Sequence, residues 1–565
     1  MEIVKAGYRT LIDALESAPA ERLFVLEWHD EENQSSVTFG EFRRRAHGQA
    51  SFLKLQGVRT GDRVILVMPQ GIALMTAFVG SMMLGALPAI LSYPNTKVEP
   101  AKYLSGLQGV TANLKAPFVV VDANFPTELI GDISAGGLAK LLRSPDSTES
   151  HGELDSADRS IDPQNLALIQ HSAGTTGLQK GVALSHAAVL RHLDHLVEVL
   201  KISAADRLYS WLPLYHDMGL IACFMLPMVC HLPVVMQSPA EWVQRPETML
   251  KLIQEYQCTM AWLPNFAFQF VPRRTPENTR SEYDLSSIRA LINCSEPVKT
   301  QSMNEFYDAF ASHGLKRQAL QSSYAMAENV FAVTQSGPDG PLQVCADALR
   351  FRNEHFIKEV SPDAPGAISF TSSGRLLPQN EARIVSETGE VLEPRRIGEI
   401  LIKSDSLFKG YFNRPDLTAQ AMADGWYCSG DLGFFHNEEL FVVGRKKDLL
   451  IVGGENIYPQ DVEEIVSTHP AVHDGRAVAM GLFNPDLGTE DIAVVAEVEK
   501  EELLANALPI EREIRASVLA QMGTAVRFIF LKPPKWIVKS TAGKPARSTT
   551  REKLLREHPD LQRKS

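Results

Sequence analysis

Short apolar runs at residues 63–67, 117–121, 166–170, 260–263 and 290–294 are each followed by a helix-sized segment. A strand buried on both faces reads as a continuous apolar run, and parallel strands need a crossover to become neighbours. The alternation therefore predicts an α/β fold of parallel and mixed sheets covered by helices. Around residues 392–402 the pattern changes to short strands punctuated by Gly and Pro, which predicts a small β-barrel-like subdomain. No repeat of fixed period runs through the chain. Single cores stop growing at about 250–300 residues, so a chain of 565 residues should hold more than one unit. Its character changes after Gly444, where Arg445-Lys446-Lys447-Asp448 leads into strands, helices and a Pro- and Lys-rich tail. The expected division is a large domain over residues 1–444 and a small α+β domain over residues 445–565.

Charge narrows the partners. With 56 Lys and Arg against 68 Asp and Glu the net charge is −12, which argues against a general nucleic-acid binder. A small basic patch for one acidic partner stays possible. The basic tail (Lys535, Lys539, Lys544, Arg547, Arg551) has few aromatic residues to stack on bases. Cys223, Cys230, Cys258, Cys294, Cys345 and Cys428 show neither a CxxC pair nor a metal-ligand rhythm, so they read as small apolar residues. The first residues lack the apolar core of a secretory signal. Residues 72–93 carry no charge and are long enough to span a membrane, but Gly80, Gly85 and Pro88 interrupt them. They read as a buried helix followed by a strand, and the expectation is a cytoplasmic protein without a membrane span.

The strongest local signal is His171-Ser172-Ala173-Gly174-Thr175-Thr176-Gly177-Leu178-Gln179-Lys180-Gly181. Small residues let backbone N–H groups approach phosphate oxygens, hydroxyls add donors, and a lysine adds positive charge. The Walker pattern ends in Gly-Lys-Ser/Thr, whereas here the hydroxyls precede Lys180 and Gly181 follows it. Taken alone, the same residues would suit a flexible turn.

Further motifs follow in order: Trp211-Leu212-Pro213-Leu214-Tyr215-His216-Asp217-Met218-Gly219-Leu220, Asn293-Cys294-Ser295-Glu296-Pro297, and Ser323-Tyr324-Ala325-Met326-Ala327-Glu328. Then come Trp426-Tyr427-Cys428-Ser429-Gly430-Asp431-Leu432-Gly433, Gly444-Arg445-Lys446-Lys447-Asp448 and Lys539-Ser540-Thr541-Ala542-Gly543-Lys544. In this order and over nearly the whole chain they resemble the adenylate-forming (AMP-binding) superfamily of acyl-CoA synthetases, luciferases and peptide-synthetase adenylation domains. The resemblance implies a large adenylation domain and a mobile small domain. It also implies that a carboxylate attacks the α-phosphate of ATP and expels pyrophosphate, with Mg²⁺ offsetting the charge of two anions brought together. By the same resemblance Ser172, Gly174, Thr175, Thr176, Gly177 and Lys180 hold the phosphates, and Glu328 with Thr176 ligates the metal. Ser295, Glu296, Tyr324 and Ala325 line the adenine, Asp431 takes the ribose hydroxyls, and Arg445 supports it. His216 borders the carboxylate, Lys544 is the catalytic lysine, and Lys447 is the pivot of the small domain.

Within the superfamily the Trp211–Leu220 string, and Asn293–Pro297 taken with Tyr458-Pro459-Gln460-Asp461, resemble the fatty acyl-AMP ligases. Residues 335–366, too long for a plain loop, fall where those enzymes carry an insertion that hinders the use of CoA. The resemblance implies a fatty or other carboxylic acid as substrate and the phosphopantetheine thiol of an acyl carrier protein as acceptor. The Ala173–Gly177 loop and Gly453-Gly454-Glu455-Asn456 are closer to ordinary acyl-CoA synthetases, so CoA remains an alternative acceptor. A third reading, a non-catalytic adenylate or acyl binder, would have been favoured by loss of Lys544, Glu328 or Asp431, and all three are present. Acyl-pocket candidates are Met218, Phe266 and Phe268, with Phe224, Met225 and Phe270 nearby in sequence. The sequence leaves open the length of the acid, the pathway and the oligomeric state.

Overall fold

The computed structural model describes residues 7–94, 100–126, 129, 139–145, 161–171, 180–452, 455–485, 487, 489–539 and 545–561. Its largest sheet has nine strands, in the order Arg375–Leu376, Ala332–Gln335, Leu320–Ala325, Ala290–Asn293, Met260–Leu263, Leu208–Ser210, Val234–Gln237, Leu23–Trp28 and Gln34–Thr38. The six strands from Leu320–Ala325 to Leu23–Trp28 are mutually parallel, and antiparallel strands close both edges. Met260–Leu263 and Ala290–Asn293 are buried at every position, as their unbroken apolar runs predict. A second, all-parallel sheet joins Leu87–Ile90, Arg63–Val67, Phe118–Val121 and Lys140–Arg143.

The uncharged stretch becomes the helix Ile72–Met83 and the strand Leu87–Ile90. The helix is buried on almost every residue and lies so close to the helix Phe39–Leu55 that a Cβ on Gly80 would meet the Ala46 carbonyl at 2.8 Å. Its apolar surface is spent on packing within the protein, and among the described residues no helix is long and apolar enough to cross a membrane.

One strand departs from the βαβ expectation. Leu166–His171 turns back at once to pair antiparallel with Gly181–Ser185, with His171 opposite Gly181. The cause is a second apolar run, Gly181-Val182-Ala183-Leu184, fully buried and placed directly after Lys180. Only then does Ser185 cap the helix His186–Leu200, its hydroxyl accepting from the Ala188 amide. The described residues on either side of the Gly-rich segment, His171 and Gly181, are thus paired.

Residues 380–445 form a five-stranded antiparallel sheet in which Trp426–His436 pairs with Glu439–Arg445. The smaller C-terminal domain has its own three-stranded sheet, Val472–Asn484, Thr489–Val498 and Val526–Lys532. The helices Pro459–Ser467 and Ala507–Met522 cover it through a separate core that includes Val462, Val466, Val494, Ile514 and Val518.

Candidate active site

The parallel strands bring the motifs to one end of the large sheet. Leu208–Ser210 runs into Trp211 and His216, Met260–Leu263 into Phe266, and Ala290–Asn293 into Ser295 and Glu296, while Tyr324 and Ala325 end Leu320–Ala325. These strands are neighbours in register, so the residues beyond their carboxyl ends share one crevice, which is where open α/β sheets bind ligands.

Two polar groups gather around the end of Leu320–Ala325. Lys180 Nζ sits 4.5 Å over the Tyr411 ring, the Tyr411 hydroxyl donates to Glu328 Oε1 at 2.7 Å, and it lies 3.3 Å from the Tyr427 hydroxyl. In the other group, the Tyr324 hydroxyl donates to Asp431 Oδ2 at 2.5 Å, and Arg445 Nε lies 3.2 Å from Asp431 Oδ1. Asp431 and Arg445 are directly opposed across the Trp426–His436 and Glu439–Arg445 pair, so strand register alone delivers the ion pair. Burial raises the Asp431 carboxyl above its ordinary value even though Arg445 and Tyr324 pull it down. The Tyr324 phenol is pushed far up, first by burial and then by Asp431, so it stays a donor. Asp431 is buried while Arg445 is 61% exposed, so the countercharge lies nearer the solvent.

Glu328 is held by backbone of an uncommon kind. It lies in a short turn, Ala327–Asn329, after which Val330 takes φ 64° and ψ −56°, with the Phe331 amide bonded to the Asn329 carbonyl at 2.7 Å. This is a γ-turn of the rare positive-φ form, costly for a β-branched residue, and such strain persists only where packing over-determines it. Val330 is fully buried.

A third group lies beside these. His216 Nδ1 is 2.6 Å from Asp217 Oδ1, which also accepts from the Met218 amide at 2.8 Å. Gln170 Nε2, at the foot of the Gly-rich hairpin, donates to the Tyr215 carbonyl at 2.9 Å and ties the two motifs together. Ser295, at φ 72°, brings its hydroxyl to 3.7 Å from the Met218 sulfur. Glu296 Oε2 accepts the Phe266 amide at 3.0 Å. Trp211 and Trp242 stack with centroids 3.8 Å apart, and Phe266 meets both edge-on. Phe266 is 42% exposed and opens this aromatic wall to the surface. Phe268 is fully buried against Phe306, and Phe224 lies among Phe24, Phe42 and Phe78, both within the core.

Of the residues singled out by sequence, Ser172, Gly174, Thr175, Thr176, Gly177 and Lys544 lie outside the described residues. The structure joins Lys180 with Glu328, joins Tyr324 with Asp431 and Arg445, and places His216, Met218, Ser295, Glu296 and Phe266 around a third centre. Sequence reasoning did not single out Tyr411 or Trp242, and it gave no role to Trp211 and Asp217 within residues 211–220 or to Tyr427 within residues 426–433. Tyr411 had one usable signal, a Gly410-Tyr411-Phe412 run, whose backbone bonds to Gly181 and Ala183 beside the Gly-rich loop. Among the described residues no group of three or more His, Cys, Asp or Glu is arranged to hold a metal. A buried single carboxylate, Glu328, fits Mg²⁺, which keeps waters and takes most other ligands from phosphates.

Contacts also run between the two domains. Lys447 lies in the turn Lys446–Asp448, where Lys446 pairs with Glu399 at 2.9 Å and Asp448 with Arg547 at 3.1 Å. Residues 335–366 carry the strand Gln343–Asp347 and the helix Ala348–Glu354. From that helix Phe351 stacks on Tyr458 at 5.1 Å, and Arg352 Nη1 donates to the Met522 carbonyl at 2.9 Å. Lys299 pairs with Glu464, and Arg273 with Asp474.

A family profile for AMP-binding enzymes matches residues 14–412. A 4-hydroxyphenylalkanoate adenylyltransferase of Mycobacterium tuberculosis is 29% identical over 92% of this chain and 86% of its own length. The medium-chain-fatty-acid–[acyl-carrier-protein] ligase JamA of Moorena producens is 27% identical over 98% of this chain and 96% of its own. A solved chain from studies of the fatty acyl-adenylate ligases of E. coli and L. pneumophila superimposes with a TM-score of 0.90 at 26% identity, covering 99% of this chain and 100% of that one. With the motifs in order, the crevice at the strand ends and the profile match, the chain belongs to the family of AMP-binding enzymes and within it resembles the fatty acyl-AMP ligases.

Proposed function

We propose that this protein activates a fatty or related carboxylic acid with ATP, forming acyl-AMP and pyrophosphate, and passes the acyl group to the phosphopantetheine thiol of an acyl carrier protein. The observation that carries the reading is the pair of polar groups, Lys180 with Tyr411 and Glu328, and Tyr324 with Asp431 and Arg445, around the end of one parallel strand. In this reading Asp431 accepts the ribose hydroxyls, with Arg445 and Tyr324 fixing its orientation. Tyr324, Ala325, Ser295 and Glu296 border the adenine. Lys180 and the residues Ser172, Gly174, Thr175, Thr176 and Gly177 hold the phosphates. Glu328, oriented by Tyr411, holds Mg²⁺ with Thr176, and bound Mg²⁺ supplies charge neutralisation for the attack on phosphorus. His216, fixed by Asp217, borders the incoming carboxylate. Lys544 bridges carboxylate and α-phosphate as negative charge builds on the transferring group.

The boundary between domains falls at residues 444 and 445, with Lys447 as the pivot. The preference for a carrier protein over CoA is supported by residues 335–366, which meet the small domain through Phe351 and Arg352 and so restrain the move to its other orientation, a move that a docked carrier protein, unlike free CoA, can favour through its own surface. The acyl pocket runs past Met218 to Phe266. Acid-dependent exchange of labelled pyrophosphate into ATP tests the site. The double substitution Glu328→Ala with Lys544→Ala should abolish exchange, and exchange at the wild-type rate would overturn these assignments.

A further inference from the structure

The helix Ala267–Arg274 touches three parts of the machine. At its start, the Phe266 amide is held by Glu296, and the Phe266 and Phe270 rings lie against Trp242. At its end Arg273 forks. Nε and Nη2 bond both carboxylate oxygens of Glu305, at 2.7 and 3.1 Å, while Nη1 bonds Asp474 of the small domain. Glu305 belongs to the next helix, Thr300–Phe310, whose N-cap Lys299 pairs with Glu464 of the small domain. In both of these pairs the cation stands on the large domain and the anion on the small one.

An exposed ion pair is a weak contact when both side chains must be ordered to make it. Here Glu305 has already fixed the planar guanidinium, so its third N–H reaches Asp474 at little further cost in side-chain entropy. Without Arg273, the Glu305 and Asp474 carboxylates would be left near each other with no cation between them. Asp474 sits beside His473, which burial chiefly, with Arg476 and Lys539 nearby, holds below its ordinary value. Lys539, whose charge acts on His473, is bridged to Pro545, so the described residues on either side of the segment bearing Lys544 meet.

We propose that Arg273 is a positioning residue for the adenylation half-reaction, seating the small domain through Asp474 from the same helix that carries the aromatic wall of the acyl pocket. The inference rests on the adenylate-forming reading above. An acid that packs on Phe266 steadies this helix, and with it the small domain. Arg273 therefore favours adenylation, and its release does not slow the later transfer, which uses a different orientation.

The test compares Arg273→Gln, Asp474→Asn and the double variant with wild type in three assays. These are single-turnover formation of acyl-AMP, transfer from supplied acyl-AMP to a holo carrier protein, and hydrogen exchange of amides at 459–474 without ligands. Each single variant should slow adenylation about two- to fivefold, the range an ion pair of this exposure supports. The double variant should be no slower than the singles, transfer should not slow, and exchange should quicken. Adenylation and transfer falling together, or neither changing, would overturn the proposal, as would unchanged exchange. Wild type that forms no acyl-AMP would overturn the reading of the site and the catalytic role with it, and the exchange arm would still report whether the pair seats the domain.

Discussion

Arg352→Met isolates the grip of residues 335–366 on the small domain. Arg352 is 9% exposed, and its Nη1 donates to the Met522 carbonyl across the domain boundary at 2.9 Å. A buried hydrogen bond with one charged partner contributes about 1.5–3 kcal/mol, which corresponds to roughly ten- to a hundredfold in the equilibrium between docked and released small domain. Methionine keeps a stem of similar reach, so Phe351, stacked on Tyr458 and tilted against Phe370 at 4.9 Å, retains its packing. The substitution therefore loosens docking without opening the core. The assay is formation of acyl-CoA and of acyl-carrier product from the same acid, followed by chromatography, with hydrogen exchange across the helix Pro459–Ser467 as the structural readout. Acyl-CoA formation should rise by up to that factor, and exchange should quicken. Unchanged acyl-CoA formation with unchanged exchange would refute the claim that this contact restrains the domain.

Three further outcomes are expected. Asp431→Asn removes the charge that takes the ribose hydroxyls and should slow pyrophosphate exchange about a hundredfold while leaving the melting temperature within a few degrees, as measured by exchange kinetics and calorimetry. Tyr411→Phe deletes the donor that orients Glu328 and should weaken apparent Mg²⁺ affinity about two- to tenfold, read from the Mg²⁺ dependence of acyl-AMP formation. Asp461 faces Lys299 and Arg352 of the large domain and Glu463 and Glu464 of its own helix, and burial, against the two cations, raises its carboxyl to about 6. A raised acid contributes stability that is complete below its unfolded value near 3.8 and lost as pH rises through 6. Relative to Asp461→Asn, the wild type should therefore lose melting temperature between pH 5 and pH 7, and parallel curves would contradict this.

Much of this was legible in the residues, and the rest failed for identifiable reasons. The apolar Met260–Leu263 and residues 290–292 announced parallel strands, because burial on both faces leaves no polar alternation. The hairpin around the Gly-rich loop was missed because Gly181–Ser185 is a short apolar run that a helix start, Ser185, obscured. Asp431 and Arg445 stood out by motif, but their pairing is a product of antiparallel register, which a sequence does not display. Tyr411 and Tyr427 sit far in sequence from Glu328, and only the folding of one sheet over another brings their hydroxyls together. Phe266 and Phe268 look alike in sequence, yet one is 42% exposed and the other fully buried against Phe306, a difference set by helix phase.

The most direct test of the central claim is product analysis by mass spectrometry after incubating the protein with ATP, Mg²⁺ and a mixture of fatty acids, with CoA or with a holo carrier protein. The account predicts acyl-AMP in every reaction with ATP, acylated carrier when the carrier is present, and little acyl-CoA. Ready formation of acyl-CoA, with the carrier left unmodified, would contradict it.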